Sequence, residues 1–207
     1  MKKYRCIVVA NGLFPTRPEL LDCIRRADYL VACDGAIEKL EKFREPDVVV
    51  GDLDSLSNEL RSCYENRIYE ISEQETNDLT KAMHFVREKG WEDVLILGAT
   101  GLREDHTLGN ISLLLEYMSD FREVKICSDY GCFTPIQKTT LLNSYPGQQI
   151  SLFSCYPHGE ISVQGLRYPI NHRKLYRWWE ATLNEAIGEQ FSVILHEEGQ
   201  VIIYQAW

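Results

Sequence analysis

The sequence has no run approaching about 18 consecutive apolar residues, so a membrane-spanning helix is not expected. It has no CxxC, HxxxH or HExxH spacing despite seven cysteines and five histidines. Zinc chemistry is therefore disfavoured, and carboxylate oxygen remains as the metal-ligand class, pointing to magnesium or manganese. The cysteines (6, 23, 33, 63, 127, 132 and 155) are odd in number and scattered, several within apolar runs, so buried reduced thiols are expected rather than disulfides. There is no Walker A loop, no GxGxxG, no internal repeat and no low-complexity linker. Positive charge is scarce too. Against 31 acidic residues there are 22 basic ones, a net −9 that disfavours a nucleic-acid partner. The start, Met-Lys-Lys-Tyr-Arg-Cys, leads into a short strand rather than a signal sequence, and a cytoplasmic location is expected.

The acidic excess is concentrated. Residues 45 to 78 hold ten Asp or Glu against Arg61 and Arg67 alone, a local balance of −8. Within that segment Gly51-Asp52-Leu53-Asp54-Ser55 follows the apolar run Val48-Val49-Val50. In an extended chain residues i and i+2 share a face with Cβ atoms roughly 7 Å apart, so both carboxylates can aim at one spot. At an effective dielectric of ~20 they repel by about 2 kcal/mol, a cost that a hard cation turns into coordination. The alternative is a solvated loop whose Asp and Ser residues turn the chain.

The first 130 residues alternate short β-type runs with helical patterns, the signature of a parallel α/β sheet. Strands are expected over 6–10, 29–32, 48–50, 68–71, 94–97 and 124–127. Leu79, Ala82, Met83 and Val86 follow the cap residues Thr76-Asn77-Asp78, which predicts a helix from about Asp78. Asp105 is expected to cap another helix, with Leu108, Ile111, Leu115 and Met118 on its buried stripe. From residue 131 to 207 the texture changes to β-rich runs at 139–142, 149–153, 161–164, 191–195 and 201–204, separated by Gly, Pro and Asn. That pattern predicts an antiparallel sandwich or small barrel in a second domain.

Other constellations gather on the first domain. Gly98-Ala99-Thr100-Gly101-Leu102-Arg103-Glu104-Asp105-His106 runs from a strand into a helix, a geometry that offers N–H groups and an arginine to phosphate; it also fits an ordinary strand-to-helix turn. Asn11-Gly12 follows the first strand and Cys33-Asp34-Gly35-Ala36 the second. Asn11, Asp34, Asp52, Asp54, Asp78, Arg103 and Asp105 should then meet at the C-terminal edge of the sheet, as a nucleotide and metal site requires. In the second half Arg167, Arg173, Lys174 and Arg177 mix with Tyr168, Tyr176, Trp178 and Trp179, which suits a subunit interface or a stacking wall, or basic stems lying over apolar surface.

In this order the motifs resemble the bacterial thiamine pyrophosphokinase family: Asn11-Gly12; Asp34-Gly35-Ala36; Pro46-Asp47 leading to Gly51-Asp52-Leu53-Asp54-Ser55; Asn77-Asp78-Leu79-Thr80-Lys81-Ala82; Gly98-Ala99-Thr100-Gly101 with Arg103 and Asp105-His106; Gly165-Leu166-Arg167-Tyr168; and Asn184-Glu185. Four positions depart from the family pattern. Ala36 and Leu102 replace glycines, Asn77 replaces a threonine, and Leu183 replaces the serine before Asn184.

The resemblance implies a Rossmann-like α/β domain over 1–130 that binds nucleotide and metal, then a β-sandwich over 131–207 for thiamine binding and dimerisation. It implies transfer of the diphosphate of ATP to the hydroxyethyl oxygen of thiamine, with Mg²⁺ (or Mn²⁺), in a homodimer whose active sites lie between subunits. Metal would be held by Asp52, Asp54 and Asp78. Asn11, Asp34, Gly35, Gly98, Thr100, Gly101 and His106 would bind ATP; Arg103, Asp105 and Asp78 would act on the reacting groups; Tyr168, Thr182 and Asn184 would meet thiamine. Asp78 and Asp105 are both candidates to take the hydroxyl proton. A diphosphokinase acting on another heterocycle, such as a pterin, and a non-catalytic nucleotide or thiamine sensor remain as alternatives.

Overall fold

A computed structural model describes residues 3–54 and 56–207; Ser55 of the acidic motif lies outside them. The chain divides into two compact units, one ending at Asp129 and the other beginning at Tyr130. In chain order the first contains β1 (Cys6–Val9), α1 (Pro18–Arg26), β2 (Tyr29–Cys33), a 3-10 turn (Asp34–Ala36), α2 (Ile37–Leu40), β3 (Val48–Gly51), α3 (Asn58–Cys63), β4 (Ile68–Glu70), α4 (Asp78–Glu88), β5 (Asp93–Leu97), α5 (Glu104–Asp120) and β6 (Glu123–Ser128). Its strands lie in the order β6-β5-β1-β2-β3-β4, and the neighbours are parallel.

Parallel strands covered on both faces need continuous apolar runs, which is how these read: Ile7, Val31, Val49 and Ile96 have no exposed surface. The chain steps from β1 outward to β4 and then resumes on the other side of β1 with β5. The loops after β1 and β5 therefore flank the point where strand order reverses, the place where sheets of this kind bind ligands.

α4 is delimited as its sequence predicts. Asn77 Oδ1 accepts from the Thr80 N–H at 2.9 Å, and beyond the C-cap Lys89 the chain turns at Gly90, φ +75°. The N–H of Gly90 reaches Arg87 O and that of Trp91 reaches Val86 O, which satisfies the last carbonyls in a Schellman arrangement. α5 differs from expectation. Its N-cap is Arg103, with no side-chain cap bond, and Asp105 lies inside the first turn. Its buried residues are Ile111, Leu114 and Tyr117, while Leu108 is exposed. The helix packs through a face rotated from the predicted stripe, where Tyr117 meets the Thr80 hydroxyl of α4 at 2.8 Å.

The second unit contains β7 (Gly131–Ile136), β8 (Thr140–Asn143), β9 (Gln149–Cys155), β10 (Ile161–Gln164), β11 (Ile170–Arg173), β12 (Asn184–Glu185), β13 (Gln190–Leu195) and β14 (Gln200–Ala206). They form two antiparallel sets, β12-β9-β14-β7 and β11-β10-β13-β8. One apolar core draws on both sets, with Ile150, Leu152 and Ile203 from the first and Val163, Phe191 and Val193 from the second. β7, β11 and β12 have no counterpart among the expected strands. Pro135 interrupts the pattern of β7, β11 offers one apolar residue, and β12 is two residues long.

Cys6, Cys23, Cys33, Cys63 and Cys155 are free thiols, but Cys127 and Cys132 are disulfide-bonded, contrary to the expectation of reduced cysteines throughout. Neither cysteine lies in a metal or redox spacing, so the sequence carries no signal for this state.

Gly90 sits in left-handed backbone with open space around a Cβ, so Gly90→Ala is strained without a clash. It should lower unfolding stability by about 1 kcal/mol in a denaturant titration; an unchanged midpoint would contradict the assigned turn.

Candidate active site

Four loops at the C-terminal ends of β1, β2, β3 and β5 and the start of α4 build the site. The β1 and β5 loops interlock through backbone: the Gly12 N–H donates to Gly98 O at 2.6 Å and the Leu13 N–H to Thr100 O at 2.9 Å. A Cβ on Gly12 would lie 2.4 Å from Gly98 O, and one on Gly98, itself at φ +65°, 2.4 Å from Ala10 O. Both glycines are needed for that approach. Beside it, β2 and β3 converge. A Cβ on Gly51 would stand 2.8 Å from the Asp34 Cβ, so the glycine before the acidic pair makes room for Asp34.

Asp34, Asp52 and Asp54 each bring a carboxylate oxygen within 4.8 Å of the others. The route to this convergence is not the extended i, i+2 relation expected from sequence. β3 ends at Gly51, and Leu53 adopts left-handed backbone with φ +64° and a buried side chain, so a turn sets the carboxylates. At that separation two unit charges repel by roughly 3 kcal/mol at an effective dielectric of ~20. Part of the repulsion is offset by Lys81 of α4, which is 2% exposed and places its ammonium 3.3 Å from Asp52 and 3.6 Å from Asp78. Gln74 also donates to Asp52 at 3.0 Å. The Asp52 carboxyl is held below the usual range, chiefly by the Gln74 amide and also by Lys81. Asp78 moves the other way: burial, then repulsion from Asp34 and Asp52, pushes its carboxyl up despite Lys81.

These loops enclose a cleft of about 390 Å³. Of the candidate residues, Asn11, Asp52, Asp78, Gly101, Arg103 and His106 line it. Gly98 and Thr100 supply the interlocked backbone instead, and Gly35 lies in the 3-10 turn after Asp34. Arg103 and Asp105 form a two-pronged ion pair, at 3.1 Å (Nε to Oδ1) and 2.5 Å (Nη2 to Oδ2). Arg103 holds the Asp105 carboxyl down at about 2, and the Asp105 carboxylate also occupies the His106 N–H. A group so fixed in its ionised form is a weak proton acceptor. The Asn77 amide donates to Asn110 Oδ1 at 3.2 Å, and the Asn110 amide to Ala99 O at 2.8 Å, tying the start of α4 to the β5 loop.

Lys81, Gln74 and Asn110 were given no role by sequence reasoning. For Lys81 a signal existed, since it stands three residues after Asp78 among apolar residues of a predicted buried helix face.

The candidates of the second unit are placed separately. Tyr168 is exposed, and the Thr182 hydroxyl donates to Trp179 O at 3.0 Å. Asn184 is buried and engaged on both ends of its amide, accepting from the Tyr168 and Glu185 N–H groups and donating to Tyr168 O at 2.7 Å. Trp178, Trp179 and Tyr176 are exposed on a turn closed by the Glu180 carboxylate, which accepts the Tyr176 and Arg177 N–H groups.

Residues 20–128 match the model of the thiamin pyrophosphokinase catalytic domain, and residues 131–204 that of the thiamin pyrophosphokinase substrate-binding domain. The chain belongs to the thiamin pyrophosphokinase family. Thiamine pyrophosphokinase 1 of Oryza sativa subsp. japonica is 31% identical over 80% of this chain and 64% of its own length. Thiamine pyrophosphokinase of Bacillus subtilis (strain 168) is 25% identical over 80% of this chain and 81% of its own. The chain spans less than two thirds of the length of the rice relatives it matches. In fold it is similar to the crystal structure of a thiamin pyrophosphokinase family protein from Enterococcus faecalis, with a TM-score of 0.82, 22% identity and coverage of 98% of this chain and 99% of that one.

Two of the departures from the thiamin pyrophosphokinase pattern sit in left-handed backbone: Leu102 at φ +67° and Leu183 at φ +58°, both exposed. A glycine at the first of these positions would adopt that conformation without strain.

The raised Asp78 carboxyl gives a stability prediction. A folded-state pKa above the unfolded value means that the fold favours the neutral form, so the carboxylate present at pH 7 destabilises the metal-free protein. Asp78→Asn should therefore raise the melting temperature in EDTA at pH 7, with the gain shrinking as pH falls and wild-type Asp78 takes up its proton. A lower melting temperature would show that the Lys81 pairing outweighs burial and repulsion.

Proposed function

We propose that this chain is a thiamine diphosphokinase: it transfers the diphosphate of ATP to the hydroxyethyl oxygen of thiamine, giving thiamine diphosphate and AMP. The observation that carries the reading is the convergence of Asp34, Asp52 and Asp54 within 4.8 Å at the C-terminal edge of the sheet, in a chain of this family. Their donors are all carboxylate oxygens, which suits a hard divalent cation such as Mg²⁺ or Mn²⁺. Asp34, Asp52 and Asp54 would hold it, with Asp78, the other acid paired to Lys81, completing the acidic surroundings. When bound, the cation neutralises phosphate oxygens as the diphosphate moves.

The protein's own part is positioning and charge. Asn11 and the interlocked glycine loops shape the floor under the phosphates. Arg103, although paired with Asp105, faces the cleft and would donate to phosphate oxygen. Lys81 would hold Asp52 and Asp78 in place before the cation arrives. Asp78, with its raised carboxyl, suits the thiamine hydroxyl proton better than Asp105, whose carboxyl lies at about 2. The acidic surroundings also favour the cationic thiazolium ring of thiamine.

The finer architecture belongs to the same reading: a Rossmann-like first domain for nucleotide and metal, and a second in which one core between two antiparallel sets forms a β-sandwich for thiamine and dimerisation. Tyr168, Thr182 and Asn184 would contribute there, Asn184 by holding the Tyr168 backbone. We infer a homodimer with active sites between subunits, working in the cytoplasm. Among the described residues no helix is long and apolar enough to cross a membrane.

The test is chromatographic assay of thiamine diphosphate and AMP from ATP and thiamine. Both should appear in equal amounts, EDTA should abolish them, and Asp52→Ala or Asp54→Ala should lower turnover by about a hundredfold or more in protein that still melts cooperatively. ADP as product, or wild-type rates in either variant, would overturn the proposal.

A further inference from the structure

Leu53 is a buried leucine in left-handed backbone, a conformation that costs about 1–2 kcal/mol for a residue with a Cβ and persists when its surroundings over-determine it. Two things hold it. The side chain is 1% exposed, and the carbonyl accepts from Arg61 Nη2 at 2.7 Å and Nε at 3.3 Å, with the Leu56 N–H as a further donor at 3.3 Å. Arg61 reaches back eight residues from α3, a short helix whose Ser57 cap accepts the Leu60 N–H and whose Ser57 carbonyl accepts the Arg61 N–H. Its guanidinium lies in a separate depression with Leu53, Glu65 and Glu70, not in the cleft lined by Asp52 and Asp78.

We propose that Arg61 is a positioning residue for the metal-binding carboxylates: by fixing the Leu53 carbonyl it holds the turn that sets Asp52 and Asp54 on one cation. This rests on the reading of that cluster as a metal site. Arg61 and Arg67 are the two basic residues in a segment of ten acids, yet the Arg61 guanidinium is spent on a neutral carbonyl. Among the described residues it makes no ion pair with Asp52 or Asp54, so it orders the acids without taking their oxygens from a cation. The planar fork suits this, since two N–H groups meet one carbonyl and fix its direction; a lysine would bring one ammonium. Partners of this kind, which orient ligands without touching the ion, typically change metal affinity by about 10- to 100-fold when removed.

The sign of the effect separates positioning from simple charge. Removing a nearby cation should tighten divalent binding if Arg61 acts through its field, whereas loss of the turn should weaken it. Mn²⁺ binding to the full chain, without nucleotide, can be read by electron paramagnetic resonance for wild type, Arg61→Ala, Arg61→Lys and Asp54→Ala, with melting in EDTA checking the fold. Positioning predicts Mn²⁺ affinity about tenfold weaker in Arg61→Ala and an intermediate loss in Arg61→Lys, which keeps the charge and can be judged alone where Arg61→Ala does not fold. In kinetics the Mg²⁺ requirement should rise by a similar factor, with turnover recovering at high Mg²⁺. Unchanged or tighter Mn²⁺ binding in Arg61→Ala, or wild-type affinity in Arg61→Lys, overturns the role of Arg61 alone. Absence of Mn²⁺ binding in wild type, or wild-type binding in Asp54→Ala, overturns the metal reading beneath it.

Discussion

Carboxylates brought this close repel one another, and the first unit is organised around that repulsion. Asp34, Asp52 and Asp54 arrive from two adjacent strand ends and Asp78 from a helix start, where burial and repulsion from Asp34 and Asp52 disfavour its ionised form. Among the described residues the buried ammonium of Lys81, paired with both Asp52 and Asp78, offsets part of it. Among the described residues one ammonium stands against the two carboxylates of Asp52 and Asp78, so positive charge is short there. The shortage makes a divalent ion carrying phosphate a favourable occupant rather than a tolerated one.

Holding the acids in that arrangement requires local strain and close backbone approach. Leu53 is held left-handed, Gly51 leaves the space that the Asp34 side chain fills, and the Gly12 and Gly98 loops touch through main chain. Each feature is unfavourable or unusual by itself and is sustained by neighbours: the Arg61 fork, the parallel register of β2 and β3, and the Gly12 hydrogen bond to Gly98 O. Stability is exchanged for preorganisation at the strand ends, where function in such sheets resides.

The sequence made much of this legible because its strongest signals are local. Apolar runs such as Val48-Val49-Val50 and the Asn77 cap before Leu79, Ala82 and Val86 predict elements that the structure contains. Strand-end acids were legible for the same reason. What was hidden depends on tertiary placement: the burial of Lys81 on α4, the reach of Arg61 to a carbonyl eight residues earlier, and the face of α5 chosen by contact between Tyr117 and Thr80. The Asp52 and Asp54 pair shows the limit well. Sequence placed both acids at one spot on the premise of an extended chain, whereas the chain turns at Leu53. In the second unit the β-rich runs that mark β9, β13 and β14 have no equal in β7 and β11, where Pro135 and polar residues occupy strand positions.

The cation's location tests the account most directly. Anomalous diffraction from crystals containing Mn²⁺ and a non-hydrolysable ATP analogue should give a peak in contact with carboxylate oxygens of Asp34, Asp52 and Asp54. A strong peak elsewhere in the cleft, with those three carboxylates left to water, would contradict it.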